Sequence, residues 1–226
     1  MSSELPRKRA THKGDATRVA IKSAARRVIA SVGFANAKIA DIMDGADRSP
    51  GAFYVYYKSK EALLHELLGE FRLRLKEEVN KPLAAQENPL QNLFTRLDAF
   101  WKIYREDWSI ATGGFQMAMS DSDFARTWRG IRQQGIRGLS TLIVAAQKEG
   151  YCPGLDPELT ASALCSMIEY TCYNWTSKNG DFPDRHIDDE QAALTLRQLV
   201  AHAIGWRDAP NEITSRRQQD AVLPGS

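Results

Sequence analysis

The sequence predicts an all-α protein of about nine helices. Three observations carry that reading: apolar residues recur at helical spacing through most of the chain, caps and breakers punctuate the runs, and no period-two alternation of useful length occurs. Residues 1–14, with Arg7, Lys8, Arg9, His12 and Lys13, hold too few apolar groups to pack and are expected to form a flexible basic arm. Asp15 caps a first helix in which Ile21, Ala24, Ala25, Val28 and Val32 line one face and Arg18, Lys22, Arg26 and Arg27 the other. Gly33 stops it, and Phe34 stands where a Schellman ending places its hydrophobic contact.

Two short patterns follow. Ile39, Ile42 and Met43 recur at helical spacing, Gly45 to Arg48 interrupt, and Ser49 then caps a second run with Pro50 at its first position. Pro50 to Tyr57 holds only about two turns, too few for a core pillar, so its use lies in the residues it projects outward. Two short helices broken by a turn and flanked by cations have the shape of a DNA-reading helix-turn-helix. Ser59 opens a long helix whose Leu63, Leu64, Leu67, Leu68, Phe71, Leu75 and Val79 repeat as far as Pro82.

The remaining helices are read from their start and stop signals. Asn88 and Pro89 begin one carrying Leu90, Leu93, Leu97, Phe100, Trp101 and Tyr104. Another runs from about Asp123 to Glu149 and closes at Gly150. Asp156, Pro157 and Glu158 start the next, which is apolar or small nearly all round and so is covered on two sides. Asp188 or Asp189 starts the last, before a polar tail from Asp208 to Ser226 expected to be disordered.

Net charge is only +2, but it is unevenly spread: residues 1–60 hold 12 Lys or Arg against 5 Asp or Glu, and residues 61–226 hold 18 against 23. A cationic end on an acidic body is what counterion release from a polyphosphate favours, although a solvated basic surface would look the same. Cys152, Cys165 and Cys172 lack CxxC spacing, and His12, His65, His186 and His202 are scattered, so no metal site, cofactor or disulfide framework is expected. There is no signal-peptide run and no apolar stretch of about 18 residues, which points to the cytoplasm. The absence of HExxH, GxSxG and phosphate-cradling glycine loops argues against an enzyme.

Gly33-Phe34, Ile39-Ala40-Asp41-Ile42, Ser49-Pro50-Gly51-Ala52-Phe53-Tyr54 and Tyr57-Lys58-Ser59-Lys60-Glu61-Ala62-Leu63-Leu64 together resemble the TetR family of bacterial transcriptional regulators. The resemblance implies a DNA-binding domain over residues 15–60 and a ligand-binding and dimerisation domain over 61–207. It implies that Ser49, Gly51, Ala52, Tyr54 and Tyr56 face the major groove, that Lys60 contacts a phosphate with Lys58 beside it, and that Phe53 and Tyr57 pack inside. Three residues depart from the family pattern. Lys38 stands where Ser or Thr usually caps the second helix, so any phosphate contact there comes from an ammonium. Asp47-Arg48 replaces Gly-Val in the turn. Asp tolerates a left-handed bend, and Arg48 must swing out, either into solvent or to a phosphate or guanine edge.

The body is crowded with aromatic residues. Trp101, Tyr104, Trp108, Phe115, Met119 and Trp128, with Met167, Glu169, Tyr170 and Tyr173 on the penultimate helix, are candidates for lining a largely apolar pocket, against the competing reading of ordinary core packing. Glu169 is the ionisable member. The resemblance further implies a homodimer through helices at about 157–177 and 190–206, a palindromic operator and release by a small effector. Other readings stay open: a helix-turn-helix protein whose body is a protein-interaction module without a ligand, or a non-specific nucleic-acid binder.

Overall fold

The computed structural model describes residues 7–79, 81, 89–177 and 180–205. Among them lie nine α-helices and no strand: α1 (Arg7–Asn36), α2 (Ile39–Asp44), α3 (Phe53–Tyr56), α4 (Lys60–Val79), α5 (Pro89–Glu106), α6 (Trp108–Ala118), α7 (Ser122–Lys148), α8 (Pro157–Thr176) and α9 (Asp189–Ala203). A single 3-10 turn, Pro50–Ala52, leads into α3.

Several start signals fall where the sequence places them, but Asp15 does not cap α1, which runs on from Arg7 and holds Asp15 within it. The Asp156 carboxylate accepts from the Leu159 amide at 2.8 Å, Asp188 rather than Asp189 accepts from Gln191 at 3.0 Å, and Ser59 Oγ accepts from Ala62 at 3.2 Å. Asp121 caps α7 two residues before the expected Asp123, accepting from the Asp123 and Phe124 amides. Gly33 breaks α1 at φ 78°, ψ 160°, and Gly150 closes α7 at φ 89°, both in the left-handed half of the map where glycine is favoured. The cap expected at Asn88, the helix end at Pro82 and the tail 208–226 lie outside the described residues.

Two expectations need correction. The basic lead is helical from Arg7, so residues 7–14 extend α1 instead of forming a loose arm; residues 1–6 lie outside the described residues. Val32, expected on the buried face of α1, is 45% exposed, while Ile29, nearly one turn earlier, is buried.

Helix α6 has no counterpart in the sequence reading. Its Gly113-Gly114 pair reads as a breaker, yet both glycines are buried and face neighbours: a Cβ on Gly114 would lie 2.7 Å from Leu68 Cδ1, and one on Gly113 3.2 Å from Phe34 Cβ. Lack of side chains therefore lets α6 pass close to α4 and the end of α1. The core is continuous from Ile21, Ala25, Ile42, Met43 and Phe53 in the head, through Leu64, Leu68 and Phe71 of α4, to Leu93, Trp101, Ile168 and Leu196 in the body. Each fully buried Leu, Ile or Phe contributes about 1.5–3 kcal/mol, so head and body are joined by packing as well as by chain.

Candidate nucleic-acid interface and cavity

The short helix α3 is anchored from below and bare above. Phe53 is fully buried and Tyr57 nearly so, their rings 5.6 Å apart, while the same short helix leaves Tyr54 65% and Val55 77% exposed. Ser49 and Gly51 are exposed, Ala52 and Tyr56 half-buried. The Ser49 hydroxyl makes no capping bond, which leaves it available to an outside partner. A Cβ at Gly51 would meet nothing within 4 Å, so the rod ends in a flat, open edge. Asp47 takes the expected left-handed turn at φ 55°. Arg48 is exposed, its guanidinium folded onto the Asp47 carbonyl at 2.6 Å.

Cations divide into two sets. Lys38, at the start of α2 without a side-chain cap, and Lys58 are exposed beside the reading element. Lys60, expected at a phosphate, is engaged elsewhere: its ammonium donates to the carbonyls of Phe34 (2.8 Å), Ala35 (3.2 Å) and Ala37 (2.9 Å) and lies 4.6 Å from the centre of the Phe34 ring. It closes the carbonyl end of α1, where a positive charge is stabilised by the helix dipole.

Arg18, Lys22 and Arg26, read from sequence as a solvated face, form a seam with α4. Arg18 pairs with Glu66, Lys22 with Glu66 (3.2 Å) and Glu70 (2.5 Å), and Arg26 with Glu70 (2.9 Å). Arg26 also reaches the buried Asp107 at 3.0 Å, which pairs with Arg74 as well. Burial alone would raise the Glu66 and Glu70 carboxyls, but the hydrogen bonds and charges of these cations outweigh it and hold both below their ordinary range. Asp107, one residue before α6, thus ties α1 and α4 to the start of α6.

A cavity of about 110 Å³ lies between α4, α5, α7 and α8, walled by Leu75, Leu93, Leu97, Phe100, Ile131 and Ile168. Its charged members are Arg72, Arg96, Arg132 and Glu169. Arg132 pairs with Glu169 and donates to Ser166 Oγ at 2.9 Å. Burial pushes the Glu169 carboxyl up to about 7, against the opposing pull of Arg132.

Of the ten residues proposed for the pocket, Glu169 alone lines this cavity. Trp101 is buried edge-on to Trp175 and donates to Asp189 at 3.0 Å, fastening α5 to α9. Tyr104 packs between Phe71 and Phe100, and Trp108 and Met167 are half-buried against the core. Phe115, Met119 and Trp128 do come together, around a wider hollow of about 340 Å³ that also takes in exposed Arg129 and Gln133. Tyr173 stacks on exposed Tyr170. Most of the aromatic side chains therefore serve as packing between helices.

Residues 21–67 match the family described as bacterial regulatory proteins, tetR family. The HTH-type transcriptional regulator EthR of Mycolicibacterium smegmatis is 28% identical over 73% of this chain and 77% of its own. Over residues 21–67 the chain therefore carries the sequence pattern of the TetR family's N-terminal segment. Among solved structures, a tetR-family regulatory protein of Rhodococcus RHA1 superposes with a TM-score of 0.69 at 22% identity over 85% of this chain and 98% of that one. The fatty acid degradation regulator FadR of Bacillus halodurans gives 0.65 at 18% identity over 92% and 99%. At these identities the structures share the TetR fold with this chain, including the helical body beyond residue 67.

Sequence reasoning did not single out Val55, exposed on α3, or Arg72, Arg96 and Arg132, which line the cavity. A signal existed for Arg96, which interrupts the α5 stripe Leu93, Leu97, Phe100 with a cation. None existed for the cavity, which depends on how four helices splay apart.

Proposed function

We propose that this TetR-family regulator is a cytoplasmic repressor, without catalytic activity, that grips a palindromic operator as a two-fold dimer and lets go when a small molecule occupies its body. The observation that carries the DNA half is the solvent-facing edge Ser49, Gly51, Tyr54 and Val55 on a rod pinned by Phe53 and Tyr57. Gly51 and Ala52 are small enough to bring the backbone to base edges, Val55 offers a methyl group to thymine, and the tyrosine hydroxyls suit phosphates. Lys38, Arg48 and Lys58 supply positive charge around that edge.

The dimer half rests on α8, where Leu159, Ala163, Ser166 and Tyr170 are exposed at spacings of four, three and four. That is the stripe of a helix awaiting a partner helix. On α9, Leu199 and Ala203 are exposed, whereas Ala192, Ala193 and Ala201, and Ala161 on α8, are buried within the chain and are not available to a second copy. Selection of bound duplexes from a random pool tests the reading. The expected product is an inverted repeat with half-sites about 34–36 Å apart or a multiple of that. Recovery of single, unpaired half-sites or of no common sequence would contradict it.

A further inference from the structure

We propose that the partly open cavity between α4, α5, α7 and α8 takes a short apolar molecule ending in a carboxylate or similar anion, its head held by Arg96 and Arg72 at the mouth. This deepens the effector reading above and, as a switch, rests on it.

Charge around the cavity does not balance. Three guanidinium groups meet one carboxylate, and that carboxylate, Glu169, is taken by Arg132. Among the described residues neither Arg72 nor Arg96 has a hydrogen-bonding or ionic partner. Arg96 is half-buried on the same face as Leu93, Leu97 and Phe100, where a helix ordinarily places a hydrophobe. A cation held there without a counterion is unfavourable, and an anionic ligand head offsets that cost.

Arg72 is exposed, but its guanidinium rests against α7. Its Cζ would lie 3.4 Å from a Cβ on Gly130, so the side-chain-free surface of α7 seats the guanidinium across the gap between α4 and α7. Guanidinium groups recognise carboxylates through paired N–H donors, which a hydroxyl or an amine cannot satisfy. The apolar part is limited by size. A void of about 150 Å³ holds benzene, so 110 Å³ accommodates a chain of about four to six carbons. Gly138 borders the same space and faces nothing within 4 Å, leaving room that a larger residue would fill.

Calorimetric titration of the full chain with hexanoate, 1-hexanol and hexylamine tests this. Hexanoate is expected to bind at least about tenfold more tightly than hexanol, with hexylamine weakest. Arg96→Gln should reduce hexanoate to the level of hexanol while leaving hexanol unchanged, Arg96→Lys should keep part of the preference, and Gly138→Leu should weaken both. Equal or better binding of hexanol, no binding of any probe, or a preference that survives both Arg96→Gln and Arg72→Gln would overturn the proposal. Adding the probes to an operator complex separates the two readings. Capture of hexanoate without DNA release keeps the ligand class and removes the switch; release by hexanol as readily as by hexanoate keeps the switch and removes the ligand class.

Discussion

Lys58 and Lys60 stand two residues apart in different settings, the first exposed and the second bonded within the protein. The three carbonyls on the Lys60 ammonium make it a clasp between α4 and the end of α1. Lys60→Ala is expected to lower unfolding stability by about 1–3 kcal/mol, read from urea denaturation, with little change in the salt dependence of DNA binding once folded. Lys58→Ala should do the reverse: an unchanged unfolding midpoint, but weaker binding and a shallower slope of log affinity against log salt by about one for each half-site. Nothing in the sequence distinguishes the two, because the carbonyl cluster at Phe34, Ala35 and Ala37 exists only after the α1 break has turned the chain. Glu169 differs: an acid among apolar neighbours is legible by itself, and its burial follows. Its carboxyl, at about 7 in the fold against 4.5 ordinarily, binds its proton more tightly folded than unfolded. Stability from this group is therefore complete below about pH 4.5 and lost as pH rises through 7. Glu169→Gln should flatten the pH dependence of the urea midpoint between about pH 5 and 8; an unchanged slope would show the carboxyl to be ionised throughout.

Among elements, α6 couples the N-terminal helices to the body. Asp107 receives Arg26 and Arg74 immediately before the first turn, and Gly113 and Gly114 admit Phe34, Leu64 and Leu68. Asp107→Ala leaves two cations facing a buried void. Both arginines retain solvent access, so the expected loss is about 2–3 kcal/mol, at or below the range for breaking a buried pair. Thermal unfolding measures it directly. The α8 and α9 starts were legible because caps are local chemistry, a carboxylate three residues before an open amide. Helix α6 was not, because its glycines are explained only by the neighbours they approach. The same holds for the seam: Arg18, Lys22 and Arg26 read only as the polar face of the first helix until α4 brings Glu66 and Glu70 across from them.

At the scale of the whole molecule, one continuous core joins a short reading rod to a helical body that carries a small cavity and an uncovered α8 stripe. Replacing Leu159 and Tyr170 by glutamate places like charges at the centre of the proposed two-fold contact. Sedimentation should then show a monomer, and operator affinity should fall because each half-site is held singly. Charge asymmetry along the chain overstates the cations available to a partner, since Arg18, Lys22, Arg26 and Lys60 are engaged within the protein.

The most direct measurement compares fluorescence anisotropy of a selected inverted repeat with that of a random duplex at one salt concentration, for the native chain and for Tyr54→Ala. The native chain is expected to prefer the repeat by at least about a thousandfold, and Tyr54→Ala to lose at least about tenfold of that preference with its unfolding midpoint unchanged. Equal affinity for both duplexes, or a Tyr54→Ala protein that discriminates as well as the native one, would contradict the assignment of Pro50 to Tyr57 as the DNA-reading edge.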